Sequence, residues 1–207
     1  MFALLAFGDS ITFGTGDTKE GGWAGRLKRD FDKKDYYNAF YNLGIPGDTT
    51  TDLLKRFETE AKARIQKRRP DDSFVILLSI GTNDARFLGS LDKPQTRPAD
   101  FEKSIQQLIK FSKKYTKEVF FIGLVPVDES KTNPYEETYF LNERIALFNS
   151  IIEKQCNKEN IPFLDLYKEW SKEKCQNLLS DGLHPNAKGY EKMSVSIKKF
   201  LEKNGVF

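Results

Sequence analysis

The chain has 207 residues, with 33 Lys and Arg against 30 Asp and Glu. A chain of this length buries roughly 70% of its unfolded surface, so one globular domain spanning residues 1–207 is expected. The signs interleave, as in Lys28-Arg29-Asp30-Phe31-Asp32-Lys33-Lys34-Asp35, which reads as solvated helix faces and argues against nucleic acid as a partner.

No stretch approaches the ~18 apolar residues of a membrane helix. The start, Met1-Phe2-Ala3-Leu4-Leu5-Ala6-Phe7, lacks a basic leader, so no membrane partner and a cytoplasmic location are expected. The first predicted strand, Phe2 to Phe7, runs into Gly8-Asp9-Ser10-Ile11-Thr12-Phe13-Gly14, which sets the Ser10 hydroxyl at the strand's carboxyl end. Taken alone, the stretch leaves open a nucleophile facing a cleft or a turn capped by Asp9 and Ser10. The second strand, Phe40 to Leu43, leads into Asn42-Leu43-Gly44-Ile45-Pro46-Gly47. Gly44 lacks a Cβ and can bring its amide close to a ligand, though an ordinary glycine turn fits as well.

Leu53, Leu54, Phe57, Ala61 and Ile65 then recur at helical spacing. The most apolar strand, Phe74 to Ile80, ends in Gly81-Thr82-Asn83-Asp84, where Asn83 offers an N–H donor or an Asx turn. A long connection, Asp84 to Pro98, precedes a helix marked by Phe101, Ile105, Leu108 and Ser112. A strand over Val119 to Val125 follows, then a second long connection, Pro126 to Tyr139. Long loops at the carboxyl ends of parallel strands are where such sheets place ligands. Phe87, Leu88 and Leu91 in the first and Val127, Tyr135 and Tyr139 in the second either line a substrate mouth or pack inward. Ile145, Phe148, Ile152 and Cys156 mark another helix, and Ile161 to Leu166 a fifth strand.

Asp181-Gly182-Leu183-His184-Pro185-Asn186 comes next, ahead of a closing helix through Tyr190, Met193, Ile197 and Leu201. Pro185 suits the first helical position and holds His184 extended. Asp181 can then reach one ring nitrogen of His184, freeing the other to accept a proton. His184 is the single histidine, and Cys156 and Cys175 lack metal-ligand spacing, so no metal site is expected and the thiols read as packed. The alternation predicts an α/β fold: a three-layer α/β/α sandwich around a five-stranded, mainly parallel sheet.

Four stretches, Gly8-Asp9-Ser10, Asn42-Leu43-Gly44, Gly81-Thr82-Asn83-Asp84 and Asp181-Gly182-Leu183-His184-Pro185, occur in an order that resembles the SGNH hydrolases, the GDSL-type lipases, acylhydrolases and esterases. The resemblance spans Gly8 to Asn186 and implies a flavodoxin-like SGNH fold and a serine ester hydrolase. It differs from the Gly-x-Ser-x-Gly elbow, because Ile11 and Thr12 follow Ser10 and the acid lies close to the histidine. The implied roles agree with what these groups can do unaided. Ser10 attacks, His184 carries the proton and Asp181 orients the ring, while the amides of Ser10 and Gly44 and the side chain of Asn83 hold the oxyanion. Asp9 and Asp84 shape turns. The expected partners are a small, short-acyl ester and water, with no cofactor. With little chain left beyond the sheet and helices, the mouth is expected to be shallow.

Rival readings use the same sequence. A carbohydrate O-deacetylase or an acyl thioesterase would employ the same five residues. A flavodoxin-like module would hold phosphate in the Gly8 to Gly14 turn, which leaves Asp181 and His184 without a task. An inactive scaffold finds no support at the motif positions.

Overall fold

The structure, a computed structural model, describes residues 1–35, 37–172 and 174–206. The elements in chain order are β1 (Phe2–Gly8), α1 (Ser10–Phe13), α2 (Gly22–Lys34), β2 (Ala39–Gly44), α3 (Thr50–Arg64), β3 (Ser73–Ser79), β4 (Phe87–Leu88) and α4 (Pro98–Tyr115). They continue with β5 (Glu118–Ile122), α5 (Glu129–Thr132), β6 (Thr138–Tyr139), α6 (Asn142–Lys158), β7 (Phe163–Leu164), α7 (Leu166–Trp170), a 3-10 turn (Cys175–Leu178) and α8 (Ala187–Lys203). Five strands form a parallel sheet in the order β2-β1-β3-β5-β7, as the apolar runs predict.

Alternation along β1 sends Ala3, Leu5 and Phe7 to one face and Leu4 and Ala6 to the other. On the first face they meet Leu53, Phe57 and Ala61 of α3, Phe101, Ile105 and Leu108 of α4, and Ile145, Phe148 and Ile152 of α6. On the second they meet Trp23, Leu27 and Phe31 of α2 and Tyr190, Met193, Ile197 and Leu201 of α8. Helices therefore cover both faces, the three-layer arrangement that a buried parallel sheet requires. Among the described residues no helix is long and apolar enough to cross a membrane.

The register brings three strand ends level: Gly8 lies beside Gly44 on one side and Ser79 on the other. From β1 the chain moves outward to β2 and then crosses back to β3 on the opposite side of β1. That reversal opens a crevice outside the carboxyl ends of β1 and β3, the place where open parallel sheets bind ligands.

Several boundaries differ from the sequence expectation. The strand expected to reach Val125 ends at Ile122, because Leu124 turns its amide to the Asn149 side chain. The fifth strand keeps only Phe163 and Leu164; Asp165 accepts the Lys168 amide and starts α7. The closing helix begins at Ala187, not at Pro185, since the Asn186 side chain caps it through the Gly189 amide. The two long connections also pair with each other. Phe87 lies opposite Tyr139 and Leu88 opposite Thr138 in an antiparallel β4–β6 ribbon. Arg144 of α6 stacks on Phe87 and Phe148, at 4.8 and 4.7 Å from the ring centres, and donates to the Thr96 carbonyl, which secures this ribbon to the sandwich.

Candidate active site

β1 ends at Gly8, and the chain turns at once into the single turn of α1, whose first residue is Ser10. Asp9 makes that turn possible by accepting the Ile11 amide at 3.0 Å. Gly8 has no substitute there, because a Cβ would lie 2.1 Å from Thr12 Oγ1 and 2.3 Å from the Ser79 carbonyl. Asp9 is 2% exposed, and burial pushes its carboxyl up to about 7.

At the far end of the chain, Asp181 closes a tight turn. Its Oδ1 accepts the amides of Leu183 at 2.9 Å and His184 at 2.7 Å, with Gly182 in the left-handed region at φ 96°. Oδ2 of the same carboxylate lies 2.7 Å from Nδ1 of His184. Burial raises the Asp181 carboxyl, but the imidazole and the two amides outweigh it and hold the group well below the usual carboxylate range. An ionised carboxylate only accepts, so Nδ1 carries the proton and Nε2 is left with its lone pair. That lone pair faces Ser10: Nε2 is 3.0 Å from Oγ. The structure thus brings Ser10, His184 and Asp181 into one hydrogen-bonded chain.

Gly44 and Asn83 arrive at the same edge. A Cβ on Gly44 would stand 2.3 Å from the Phe13 amide nitrogen, so only glycine lets β2 approach α1 this closely. The expected oxyanion donors are not idle, however. The Gly44 amide donates to Asn42 Oδ1 at 3.0 Å, and Asn83 Nδ2 donates to the Asp48 carbonyl at 3.0 Å. Asn83 retains a second N–H, because a primary amide carries two. Asp84, assigned a turn-shaping role from sequence, accepts Thr50 N at 2.8 Å, Thr50 Oγ1 at 2.7 Å and Thr96 Oγ1 at 3.1 Å. Burial raises its carboxyl to about 6.

The loop side chains divide. Val127 is buried in the core, while Leu88 and Leu91 are 41% and 50% exposed. Tyr135 does something the sequence did not signal: its phenol donates to Asp181 Oδ2 at 2.9 Å. Arg56 of α3 is a second residue missed. Nε bonds Asp48 at 2.8 Å, and Nη2 reaches the Gly8 and Leu43 carbonyls at 3.1 and 2.9 Å.

Comparison with known proteins shows the family and the fold. The model of the GDSL-like lipase/acylhydrolase family matches residues 6–192. The chain is 30% identical over 219 residues to an isoamyl acetate-hydrolyzing esterase of Saccharomyces cerevisiae, covering 96% of this chain and 85% of that protein. A lipase/acylhydrolase from Enterococcus faecalis superposes with a TM-score of 0.77 at 26% identity, over 99% of this chain and 97% of that one. An acetylxylan esterase from Geobacillus stearothermophilus shares the fold at a TM-score of 0.74 and 17% identity, covering 96% and 93%. With its fold, motif order and a family match that runs from the first strand to the closing helix, the chain belongs to the GDSL-like lipase/acylhydrolase family and is a carboxylic ester hydrolase.

Proposed function

We propose that the protein hydrolyses small, short-acyl carboxylic esters, acetates foremost, with Ser10 as nucleophile, His184 as general base and acid, and Asp181 as the group that orients the ring. The observation that carries this reading is the unbroken chain from Ser10 Oγ through His184 to Asp181, at 3.0 and 2.7 Å. His184 Nε2 takes the hydroxyl proton as Oγ attacks the ester carbonyl, and the imidazolium then gives that proton to the leaving alcohol. Water, activated by the same nitrogen, clears the acyl-enzyme. In this reading the Ser10 and Gly44 amides and the free N–H of Asn83 meet the negative oxygen of the tetrahedral intermediate. The Gly44 amide joins them as Asn42, exposed at the rim, gives it up.

The short-acyl preference is supported by the exposed apolar residues that follow Ser10 and Gly44 in the chain. Phe13, at the end of the α1 turn that Ser10 begins, and Ile45, next to Gly44, are 54% and 42% exposed and offer an open apolar rim. Each methylene buried in a lined tunnel contributes about 0.8 kcal/mol, roughly fourfold in kcat/KM. On an open rim that gain ends early. The yeast relative's name, an esterase of isoamyl acetate, fits a short acyl group on an alkyl alcohol. A second reading, a sugar O-acetyl esterase, is favoured by the acetylxylan esterase neighbour and keeps the same acyl group.

The test is a rate series over p-nitrophenyl esters of graded chain length, run beside acetylated sugars, alkyl acetates and acyl thioesters. We expect kcat/KM to peak at short chains and to fall or level off beyond about four carbons. A steady rise to about ten carbons at the burial slope would replace this reading with a long-chain acylhydrolase.

A further inference from the structure

We propose that Tyr135 is a positioning residue for this site: its phenol locks Asp181 against His184 and makes the 126–139 loop part of the frame that aims the imidazole at Ser10. The proposal rests on the roles given above to Ser10, His184 and Asp181. Its geometry is specific. Asp181 Oδ1 is saturated by two backbone amides, whereas Oδ2 has only the ring N–H from its own turn. The Tyr135 hydroxyl supplies the second donor to Oδ2 at 2.9 Å. With two donors on each oxygen, rotation of the carboxylate breaks bonds whichever way it turns. Asp181 is the most open of the three groups, its side chain 36% exposed, and without the phenol water would compete for Oδ2.

Tyr135 is itself held. Its amide donates to the Thr138 carbonyl at 2.7 Å, and its carbonyl takes the Thr138 amide and hydroxyl, both at 2.9 Å. Glu136 adopts φ 51° to close that turn. The ring stands edge-on to Phe140, with centres 6.1 Å apart, and to His184, with centres 6.4 Å apart. At the loop's other end, the Asp128 amide donates to the Gly182 carbonyl at 2.8 Å, so loop and turn are joined at two points. The phenol remains a donor throughout the working range, since burial and the Asp181 charge push it up to about 12.

A phenol O–H on Oδ2 draws charge from the oxygen that supports the ring. Its removal leaves that oxygen more basic, so imidazolium is favoured and the ring releases its proton at higher pH. The other groups that face His184 are Asp181 on its own turn and Ser10 and Asp9 after β1, while Tyr190 on α8 feels Asp9, Asp17, Asp181 and Arg26. All are retained when Tyr135 becomes Phe, so the difference between the two proteins isolates the hydroxyl.

Because His184 is the single histidine, its Cε1–H resonance can be titrated directly in wild type and Tyr135→Phe, without substrate. The midpoint is expected to rise by about half a pH unit. The acid limb of kcat/KM should move with it, while kcat on p-nitrophenyl acetate falls about 5- to 10-fold and KM changes by less than about twofold. Phe keeps the ring and its packing, so a merely structural role predicts neither change. In an Asp181→Asn background, Tyr135→Phe should have no further effect, because the hydroxyl acts through that carboxylate. An unchanged midpoint and kcat in Tyr135→Phe, with Asp181→Asn crippled, overturns the proposal alone. Full activity in Asp181→Asn removes the underlying assignment and the proposal together.

Discussion

Asp9 sits beside the nucleophile, yet it makes a cap, not a bond to the reacting groups. Its carboxylate accepts the Ile11 amide, it is 2% exposed, and burial lifts it to about 7. A carboxyl raised in the folded state binds its proton more tightly there than in the unfolded chain. Its stabilising contribution is therefore complete below the unfolded value near 3.8 and declines as pH rises towards about 7. At 1.36 kcal/mol per unit the loss has an upper limit of about 4 kcal/mol. Asn in its place accepts the same amide and never ionises. Asp9→Asn should thus melt with wild type at pH 4 and some 5 °C or more above it at pH 8, the gap opening between those values. An equal melting difference at both pH values would show that Asp9 does not titrate in this range. The candidate site was legible in the sequence because Ser10, Gly44 and Asn83 each lie at or just past the end of a strand-forming run, and Asp181 and His184 in a turn before the closing helix, in an order with a known counterpart. Tyr135 was not, since a phenol in an aperiodic loop gives no sign of which distant carboxylate it meets.

At the scale of the elements, α3 joins the segments of the site. Arg56 spans from that helix to the Gly8 carbonyl that ends β1, the Leu43 carbonyl near the end of β2, and Asp48, whose own carbonyl takes Asn83. The Arg56–Asp48 pair is largely buried, with side chains 16% and 13% exposed. Removal of the guanidinium leaves the Asp48 carboxylate without its ion-pair partner and takes one donor from each of the Gly8 and Leu43 carbonyls, a loss of about 3 kcal/mol. Arg56→Ala should lower the melting temperature accordingly and reduce kcat about tenfold as Asn83 loses its anchor. Lys should not rescue it, because one ammonium cannot cover three acceptors set in a fork. Thermal melts and steady-state rates check this; wild-type values for Arg56→Ala would contradict it. Periodicity revealed α3 through Leu53, Phe57 and Ala61 but was silent on Arg56, which belongs to neither the apolar stripe nor a motif. The same limit explains the β4–β6 ribbon. Two-residue strands carry no alternation, and the partners Phe87 and Tyr139 are separated by all of α4 and β5. The main strands were visible because the runs of β1 and β3 are almost wholly apolar, as burial on both faces demands, while the edge strand β2 keeps Phe40 and Leu43 inward and leaves Asn42 exposed. Strand ends past Ile122 and Leu164 were overestimated because Val125 and Leu166 remain buried after leaving the sheet.

The whole molecule is what makes the site, since Ser10 and His184 lie 174 residues apart in the chain and meet only when α8 packs over β1. Tyr190 reinforces that meeting: its hydroxyl donates to the Thr15 carbonyl at 2.8 Å, tying the closing helix to the turn after Ser10. The reversal of strand order beside β1 then sets the β1, β2 and β3 ends at one edge, and the β4–β6 ribbon adds Tyr135 from the side. Everything in this account converges on one atom, Ser10 Oγ, as the nucleophile. The direct measurement is covalent labelling by an alkyl fluorophosphonate, with the modified peptide mapped by mass spectrometry. The account predicts one label per chain, on Ser10, with simultaneous loss of esterase activity. Labelling should be abolished in Ser10→Ala and slowed at least about 10³-fold in His184→Ala, because the two act as a unit. A label retained in Ser10→Ala, or located on another residue while activity disappears, would contradict it.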